Sequence, residues 1–160
     1  TYQNVLEIKK EEIHPFRNMY TYANIDVYLS DLIEWMQRFN QMINSQFDDY
    51  KNKQKIQQAI AYIEQNYNKD LNMAVVSNHI SMNYSLFSYL FKQYTGSNFV
   101  NYLKDIRIKE AKRLLAETEL RVNEISQAVG YENEKHFMKI FKSVCGVSPT
   151  EYRKNTLFTA

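Results

Sequence analysis

Apolar residues in the middle of the chain recur at the mixed spacing of three and four that is typical of amphipathic helices. The clearest case is the stretch 98–117, which contains neither Gly nor Pro. Asn98 stands at its start, where an amide side chain can cap a helix. We predict one linker helix of about 20 residues, roughly 30 Å long, whose apolar side is formed by Phe99, Leu103, Ile106, Ala111, Leu114 and Leu115.

A second apolar stripe runs along residues 26–50. Its members alternate at intervals of three and four: Leu29, Leu32, Met36, Phe39, Ile43 and Tyr50, with Phe47 close to the same line. This spacing is typical of a coiled-coil seam and equally of a helix packed on its own chain, so both alternatives stay open. Residues 53–67 are predicted to be helical again, after a break or a bend near residues 47–50. We therefore divide the chain into an N-terminal helical segment, 1–52, and a second module, 53–160.

The stretch 72–94 can fold as a helix-turn-helix, with its turn at Ser81-Met82. An Asn precedes each of its two helices and provides a cap. Ser77 is small enough for the close crossing of the two helices. On the second helix the spacing directs one group of side chains inward (Phe87, Leu90, Phe91 and Tyr94) and another outward (Ser85, Ser88, Tyr89 and Lys92).

The helix-turn-helix recurs as a second unit over residues 122–145, followed by a last helix from Ser148-Pro149. The second helices align at a shift of 50 residues and the first helices at a shift of 49, because the second turn is one residue longer. The matching pairs are Val76 and Ile125, Ser77 and Ser126, Ile80 and Val129, Asn83 and Asn133, Phe87 and Phe137, Phe91 and Phe141, and Gly96 and Gly146. Such a repeat is a stronger signal than one motif, although a plain array of helical hairpins without a ligand would also repeat.

The distribution of charge adds one observation. The net charge of +2 divides into +5 over residues 53–160, with 15 Lys and Arg against 10 Asp and Glu, and −3 over residues 1–52, with 5 against 8. A basic module suits the binding of a polyanion such as nucleic acid, although +5 over this length is also common in proteins with other functions. With 44% hydrophobic residues, the chain can form a real core.

Several classes of function are disfavoured by what the sequence lacks. A single cysteine, Cys145, excludes a disulfide framework and a Cys-rich metal site, and it is typical of a reducing, cytoplasmic location. No apolar run approaches the length of a membrane span. We find no nucleophile–base arrangement, Gly-rich phosphate loop or metal-ligand spacing, so we predict no enzymatic activity, no metal and no cofactor. Because the chain opens with Thr1 rather than Met, we expect it to be part of a longer protein.

Over about residues 56–154 the chain resembles the AraC/XylS family of bacterial transcription regulators. The resemblance is carried by Ser88-Tyr89-Leu90-Phe91-Lys92, Thr95-Gly96, Arg107-Ile108, Val129-Gly130-Tyr131, Phe141-Lys142, Gly146-Val147-Ser148-Pro149 and Glu151-Tyr152-Arg153. It implies an all-α fold in which two helix-turn-helix units, about 72–94 and 122–145, are joined by the linker helix at 98–117. It also implies that the second helix of each unit, the recognition helix, enters one of two successive major grooves of double-stranded DNA.

Residues 26–67 also resemble the helical connector of YesN-type two-component response regulators, and that resemblance implies a sensory domain upstream. The apolar stripe is also compatible with a homodimer formed through residues 26–50. RNA polymerase is a further possible partner of a transcription regulator, and no membrane partner is expected. The alternative function is a helical interaction or dimerisation module that does not bind DNA directly.

The resemblance assigns base reading to the outward faces of the two recognition helices: Ser85, Ser88 and Tyr89 in the first unit, and Glu134, Lys135, His136 and Lys139 in the second. Lys can donate to guanine O6 and N7, whereas Ser is adaptable. Tyr89 stands where many family members carry Arg, so we expect the first unit to be the more tolerant reader. Arg107 of the linker helix is expected to pair internally rather than to touch DNA. The expected phosphate contacts are Lys92, Asn98, Lys142 and Ser148.

Overall fold

The computed structural model describes residues 19–157, and within that range it contains α-helices and one short 3₁₀ turn but no β-strand. The 3₁₀ turn covers Met19–Thr21. The helices are α1 (Ile25–Asn66), α2 (Met73–His79), α3 (Tyr84–Thr95), α4 (Phe99–Glu117), α5 (Val122–Ala128), α6 (Glu134–Cys145) and α7 (Pro149–Leu157). The predicted all-α fold, with two helix-turn-helix units joined by a long helix, is confirmed.

The long helix α1 continues through residues 47–50, where the sequence pattern leaves a break or a bend open. No Gly or Pro interrupts this stretch. The chain nevertheless divides into two compact units within α1, Thr1–Gln54 and Lys55–Ala160. Residues 1–18 of the predicted N-terminal segment lie outside the described residues.

The described part of the N-terminal compact unit, Thr1–Gln54, consists mainly of α1 as far as Gln54. Asn24 caps the helix, because its Oδ1 accepts the Val27 N–H at 2.9 Å. No described side chain before Ile56 is buried, and 44% of Leu29 and 56% of Met36 is exposed. Most of the apolar stripe of residues 26–50 is therefore in contact with solvent.

The first helix-turn-helix packs on the C-terminal part of α1. Ile56, Ala59 and Ile63 project from α1 into a core that is completed by Leu71, Val76, Ile80, Met82, Phe87, Leu90, Phe91, Phe99 and Leu103. Asn72 and Asn83 cap α2 and α3 as predicted, since their side-chain oxygens accept backbone N–H groups at 3.0 and 2.9 Å. The last turns of α1 are thus an integral part of the first unit.

The second helix-turn-helix repeats this arrangement on the C-terminal part of α4. Ile108, Ala111 and Leu115 occupy the places of Ile56, Ala59 and Ile63, at a shift of 52 residues. Their core is completed by Ile125, Val129, Tyr131, Phe137 and Phe141. The repeat therefore includes the helix in front of each helix-turn-helix. The matching positions in the sequence begin only at Val76 and Ile125 and do not show this correspondence.

The crossing of the two short helices in each unit uses a buried serine. Ser77 and Ser126 are 2% and 0% exposed. Each hydroxyl donates to the backbone oxygen three residues earlier, at 3.1 and 2.8 Å, so neither is left without a partner. The predicted small residue at the crossing is confirmed.

The two turns differ by a single residue, Glu132. Ser81 and Gly130 correspond, because both have positive φ, 49° and 89°. Met82 and Tyr131 also correspond, since both are 7% exposed and both donate their N–H to the buried serine of their own unit, at 2.9 and 2.8 Å. Glu132 then precedes the cap of α6 without a counterpart in the first turn.

The linker helix α4 serves both cores with different faces. Phe99 and Leu103 enter the first core, whereas Ile108 and Leu115 enter the second. At 3.6 residues per turn these two pairs point about 150° apart around the helix axis. The single predicted stripe is therefore wrong for Ile108, which it leaves out although only 2% of this residue is exposed.

One further inward assignment is wrong. Tyr94, in the last turn of α3, is predicted to face the core but is 43% exposed. Tyr102 of α4 covers the end of the core instead, with its ring centroid 5.2 Å from that of Phe91. The contact comes from another helix, so the periodicity of α3 alone could not reveal it.

Candidate nucleic-acid interface

The first recognition helix, α3, separates its side chains sharply between core and solvent. Phe87 and Phe91 are fully buried, and they hold the helix against α1, α2 and α4. Ser85, Ser88, Tyr89 and Lys92 are all exposed, as predicted, and Tyr89 is 67% exposed. Their spacing of three, four and seven residues places them on one outward face of the helix.

The second recognition helix, α6, has the same separation with a stronger positive charge. Phe137 and Phe141 are fully buried beneath it. The outward side carries the predicted residues Lys135, His136, Lys139 and Lys142, all exposed, while Glu134 at the first turn is half-buried. The three lysines follow the spacing of one helix face, so this face can donate to base edges and phosphates together.

Cap residues use part of the hydrogen-bonding capacity at the helix starts. The Oδ1 of Asn98 accepts the Asn101 N–H at 2.9 Å. The hydroxyl of Ser148 donates to Glu151 Oε2 at 2.7 Å, and the Ser148 N–H donates to the same oxygen at 2.8 Å. These hydrogen bonds lower the pKa of Glu151. A phosphate at Ser148 would therefore meet a carboxylate, and the charge of Lys142 also interacts with Glu151. Lys92 forms no ion pair with a described residue.

The arginines of the linker and of the last helix are already engaged within the protein. Arg113 pairs with Glu110 and Glu117, both at 2.6 Å. Arg153 donates to the backbone oxygens of Leu115 and Leu120 at 3.2 and 2.7 Å. In the part of the chain that the structure describes, no lysine of α3 or α6 forms an ion pair. The lysines of the recognition helices are therefore available to a polyanion.

Arg107 pairs internally, as expected. Its Nε donates to the Tyr67 oxygen at 2.8 Å, and its Nη2 donates to the Lys69 oxygen at 2.9 Å. Its guanidinium carbon lies 5.2 Å from the ring centroid of Tyr131. Burial lowers the pKa of Arg107 and raises that of Tyr131. Gly130 lies next to Tyr131 and has positive φ. The sequence did not indicate a role for this residue, although a Gly in the turn of a helix-turn-helix is a signal of positive φ.

Other kinds of site find little support. Among residues 19–157 there is no group of three or more His, Cys, Asp and Glu side chains that could hold a metal ion. No helix in the same range is long and apolar enough to cross a membrane. An open cleft of about 550 Å³ lies beside Arg107, and its lining includes both acidic and basic side chains: Asp70, Arg107, Glu132 and His136.

Comparison with known proteins gives consistent matches over this part of the chain. The sequence profile of a family described as "Helix-turn-helix domain" matches residues 76–155, which is half of the chain. The arabinose operon regulatory protein of Escherichia coli K12 is 28% identical over 123 residues, covering 76% of this chain and 40% of that protein. The chain thus spans well under half the length of this relative.

Two solved structures are similar in both sequence and fold. The C-terminal domain of AraT, a response regulator from Geobacillus stearothermophilus, is 33% identical with a TM-score of 0.62, and the match covers 63% of this chain and 84% of that chain. The C-terminal domain of the two-component response regulator yesN from Fusobacterium nucleatum is 32% identical with a TM-score of 0.59, covering 61% and 95%. Both matches cover most of the solved domain.

Proposed function

The chain belongs to the AraC/XylS family of DNA-binding transcription regulators, and from this membership we propose that α3 and α6 read two successive major grooves of double-stranded DNA. The observation that carries the proposal is the pair of exposed polar faces at equivalent positions of the repeat. Each face is backed by a separate core, and both cores share α4. The recognition helices are thus both attached to one continuous helix.

The length of α4 suits this mode of binding. Its 19 residues correspond to about 28 Å. Successive major grooves on one side of B-DNA are about 34 Å apart. DNA that bends toward the protein brings the grooves closer, at a cost on the order of 1–6 kcal/mol.

The two units differ in the chemistry of their reading faces. Lys135 and Lys139 of α6 can donate to guanine O6 and N7. Ser85, Ser88 and Tyr89 of α3 offer hydroxyl groups and an aromatic ring, which suit several base pairs. We propose that α6 provides most of the sequence specificity and that α3 adds a tolerant second contact.

This difference between α6 and α3 predicts different losses of DNA-binding free energy for two substitutions. We expect Lys139→Ala to weaken binding to the preferred duplex by about 1–3 kcal/mol, because a lysine–guanine contact is lost. Ser88→Ala should cost less, since Ser makes a weaker contact. A gel-shift assay in which each variant is titrated against a duplex selected from random DNA measures both losses of binding free energy.

The matched control for these substitutions is Lys53→Ala, which removes the same charge from an exposed position of α1 outside both helix-turn-helix units. It should bind DNA as the unmodified protein does. If Lys139→Ala and Ser88→Ala both bind like Lys53→Ala, the assignment of the reading residues is wrong.

A second proposal concerns the N-terminal unit. The solved relatives AraT and yesN are response regulators. We propose that this chain is likewise the output part of a larger sensory regulator that acts on RNA polymerase at promoters. The stripe of residues 26–50 would then join two copies of the chain.

Gln46 continues the three-and-four alternation of this stripe between Ile43 and Tyr50. Its Oε1 is shielded from solvent and has no hydrogen-bond partner among the described residues, and a polar residue at such a position can set the register of paired helices.

Light scattering tests the homodimer. We expect the whole chain to have the mass of a dimer and the fragment 53–160 to have the mass of a monomer. Met36→Glu should also give a monomer, because it places a charge within the stripe, whereas Gln37→Glu places the same charge one residue off the stripe and should leave the dimer intact. If all four proteins had the same number of chains per particle, a dimer through this helix would be excluded.

A further inference from the structure

The turn of the second helix-turn-helix rests directly on the loop that follows α1. Gly130, in this turn, has φ of +89°. A Cβ at this position would lie 2.9 Å from the Cα, C and O atoms of Asn68. Real Cβ atoms do not approach backbone so closely, so the two stretches of backbone can touch only because residue 130 is Gly. The contact joins the two helix-turn-helix units independently of α4.

Arg107 connects the same two stretches through its guanidinium group. The group donates to the backbone oxygens of Tyr67 and Lys69, in the loop after α1, and its central carbon lies over the ring of Tyr131. Tyr67 packs against the first core, whereas Tyr131 belongs to the second. One side chain therefore holds the end of α1 and the second turn together.

Comparison of the two repeats shows which contacts of Arg107 have no counterpart in the first unit. Lys55 of α1 corresponds to Arg107 at the shift of 52 residues, and its Nζ donates to the oxygen of Ser81 in the first turn at 2.7 Å. Both cations thus contact the turn of their own unit. Arg107 alone also reaches across to the other unit, because its planar guanidinium has several fixed donors and a ring-stacking face that an ammonium group lacks.

We propose that Arg107 and Gly130 form a clamp that fixes the orientation of α6 relative to α3 and thereby selects the spacing of the two half-sites on DNA. The proposal rests on the two-groove binding proposed above. A single helix with two separate cores can bend and twist between them, and the clamp adds a second point of attachment. Arg107 is a positioning residue, since its guanidinium is committed to the protein and acts on DNA through α3 and α6.

Distances between spin labels test the clamp without DNA. In a Cys145→Ser background, labels at Gln93 and Ser143, two exposed positions that correspond in the repeat, report the separation of α3 and α6. We expect one narrow distance distribution in the otherwise unmodified protein and a distribution at least twice as broad in Arg107→Ala and Arg107→Lys. An unchanged distribution in both variants would overturn the clamp, whatever the protein does with DNA.

Arg153→Lys is the matched control for Arg107→Lys. Arg153 also donates to two backbone oxygens, but both of these belong to residues of the second unit, Leu115 and Leu120. The substitution should leave the distance distribution narrow, although it removes the same type of hydrogen bond. Circular dichroism and thermal melting establish that each variant is folded before labels are compared.

A spacing series then connects the clamp to DNA. The probes are a duplex selected from random DNA by the unmodified protein and the same duplex with one or two base pairs inserted between the half-sites. We expect insertion to weaken binding at least tenfold for the unmodified protein and for Arg153→Lys, but less than threefold for Arg107→Ala. If Arg107→Ala keeps the full tenfold preference, the clamp does not select spacing. If no duplex is selected at all, the proposed function fails, and the label distances still decide whether the clamp exists.

Discussion

Raising the salt concentration from 50 to 200 mM is expected to weaken binding of the chain to its preferred duplex about 150-fold. Four exposed lysines lie on the recognition helices: Lys92, Lys135, Lys139 and Lys142. If each releases about one counterion from DNA, the slope of log affinity against log salt is about −3.6. A fourfold rise in salt then gives the stated loss. Fluorescence anisotropy with a labelled duplex at several salt concentrations measures the slope.

Single substitutions make this prediction specific to the interface. Lys142→Gln should reduce the steepness of the slope by about one, because one counterion fewer is released. Arg113→Gln should leave the slope as it is, since Arg113 is paired with Glu110 and Glu117 on α4. A slope near zero for the unmodified protein would contradict the DNA-binding proposal and favour the alternative of an interaction module.

Local sequence signals predicted the helices of the two helix-turn-helix units well. Asn72, Asn83 and Asn133 cap their helices as expected, because an Asn before an apolar run is a strong and local signal. The repeat predicted both turns and the buried serine at each crossing. These features depend on neighbouring residues, so periodicity and spacing reveal them without knowledge of the fold.

The features that the sequence did not reveal depend on contacts between distant residues. Ile108 is buried because α4 turns a second face toward the second core, and a single stripe could not show two faces. The contact of Arg107 with Tyr67 and Lys69 spans about forty residues of sequence. The close approach of Gly130 to Asn68 is of the same kind. The outward faces of α3 and α6 were predicted correctly as exposed, while their contacts with DNA stay predictions.

The separation of the two cores leads to the last prediction. Phe137 is fully buried, with its ring centroid 5.7 Å from that of Phe141 and 5.5 Å from that of Tyr131. Phe137→Ala should destabilise the second unit by about 3–5 kcal/mol. Whole domains have only about 5–15 kcal/mol of stability. We therefore expect the amides of α5 and α6 to lose most of their protection from hydrogen exchange.

The first unit should keep its protection, because its core contains no residue of α5, α6 or α7. Phe87→Ala is the matched substitution at the equivalent position of the repeat, and it should expose α2 and α3 while α6 stays protected. Hydrogen exchange followed by mass spectrometry resolves the two sets of amides. If either substitution removed protection from both units equally, the two cores would be one cooperative structure. The recognition helices would then lose their binding faces together, and neither could bind a half-site alone.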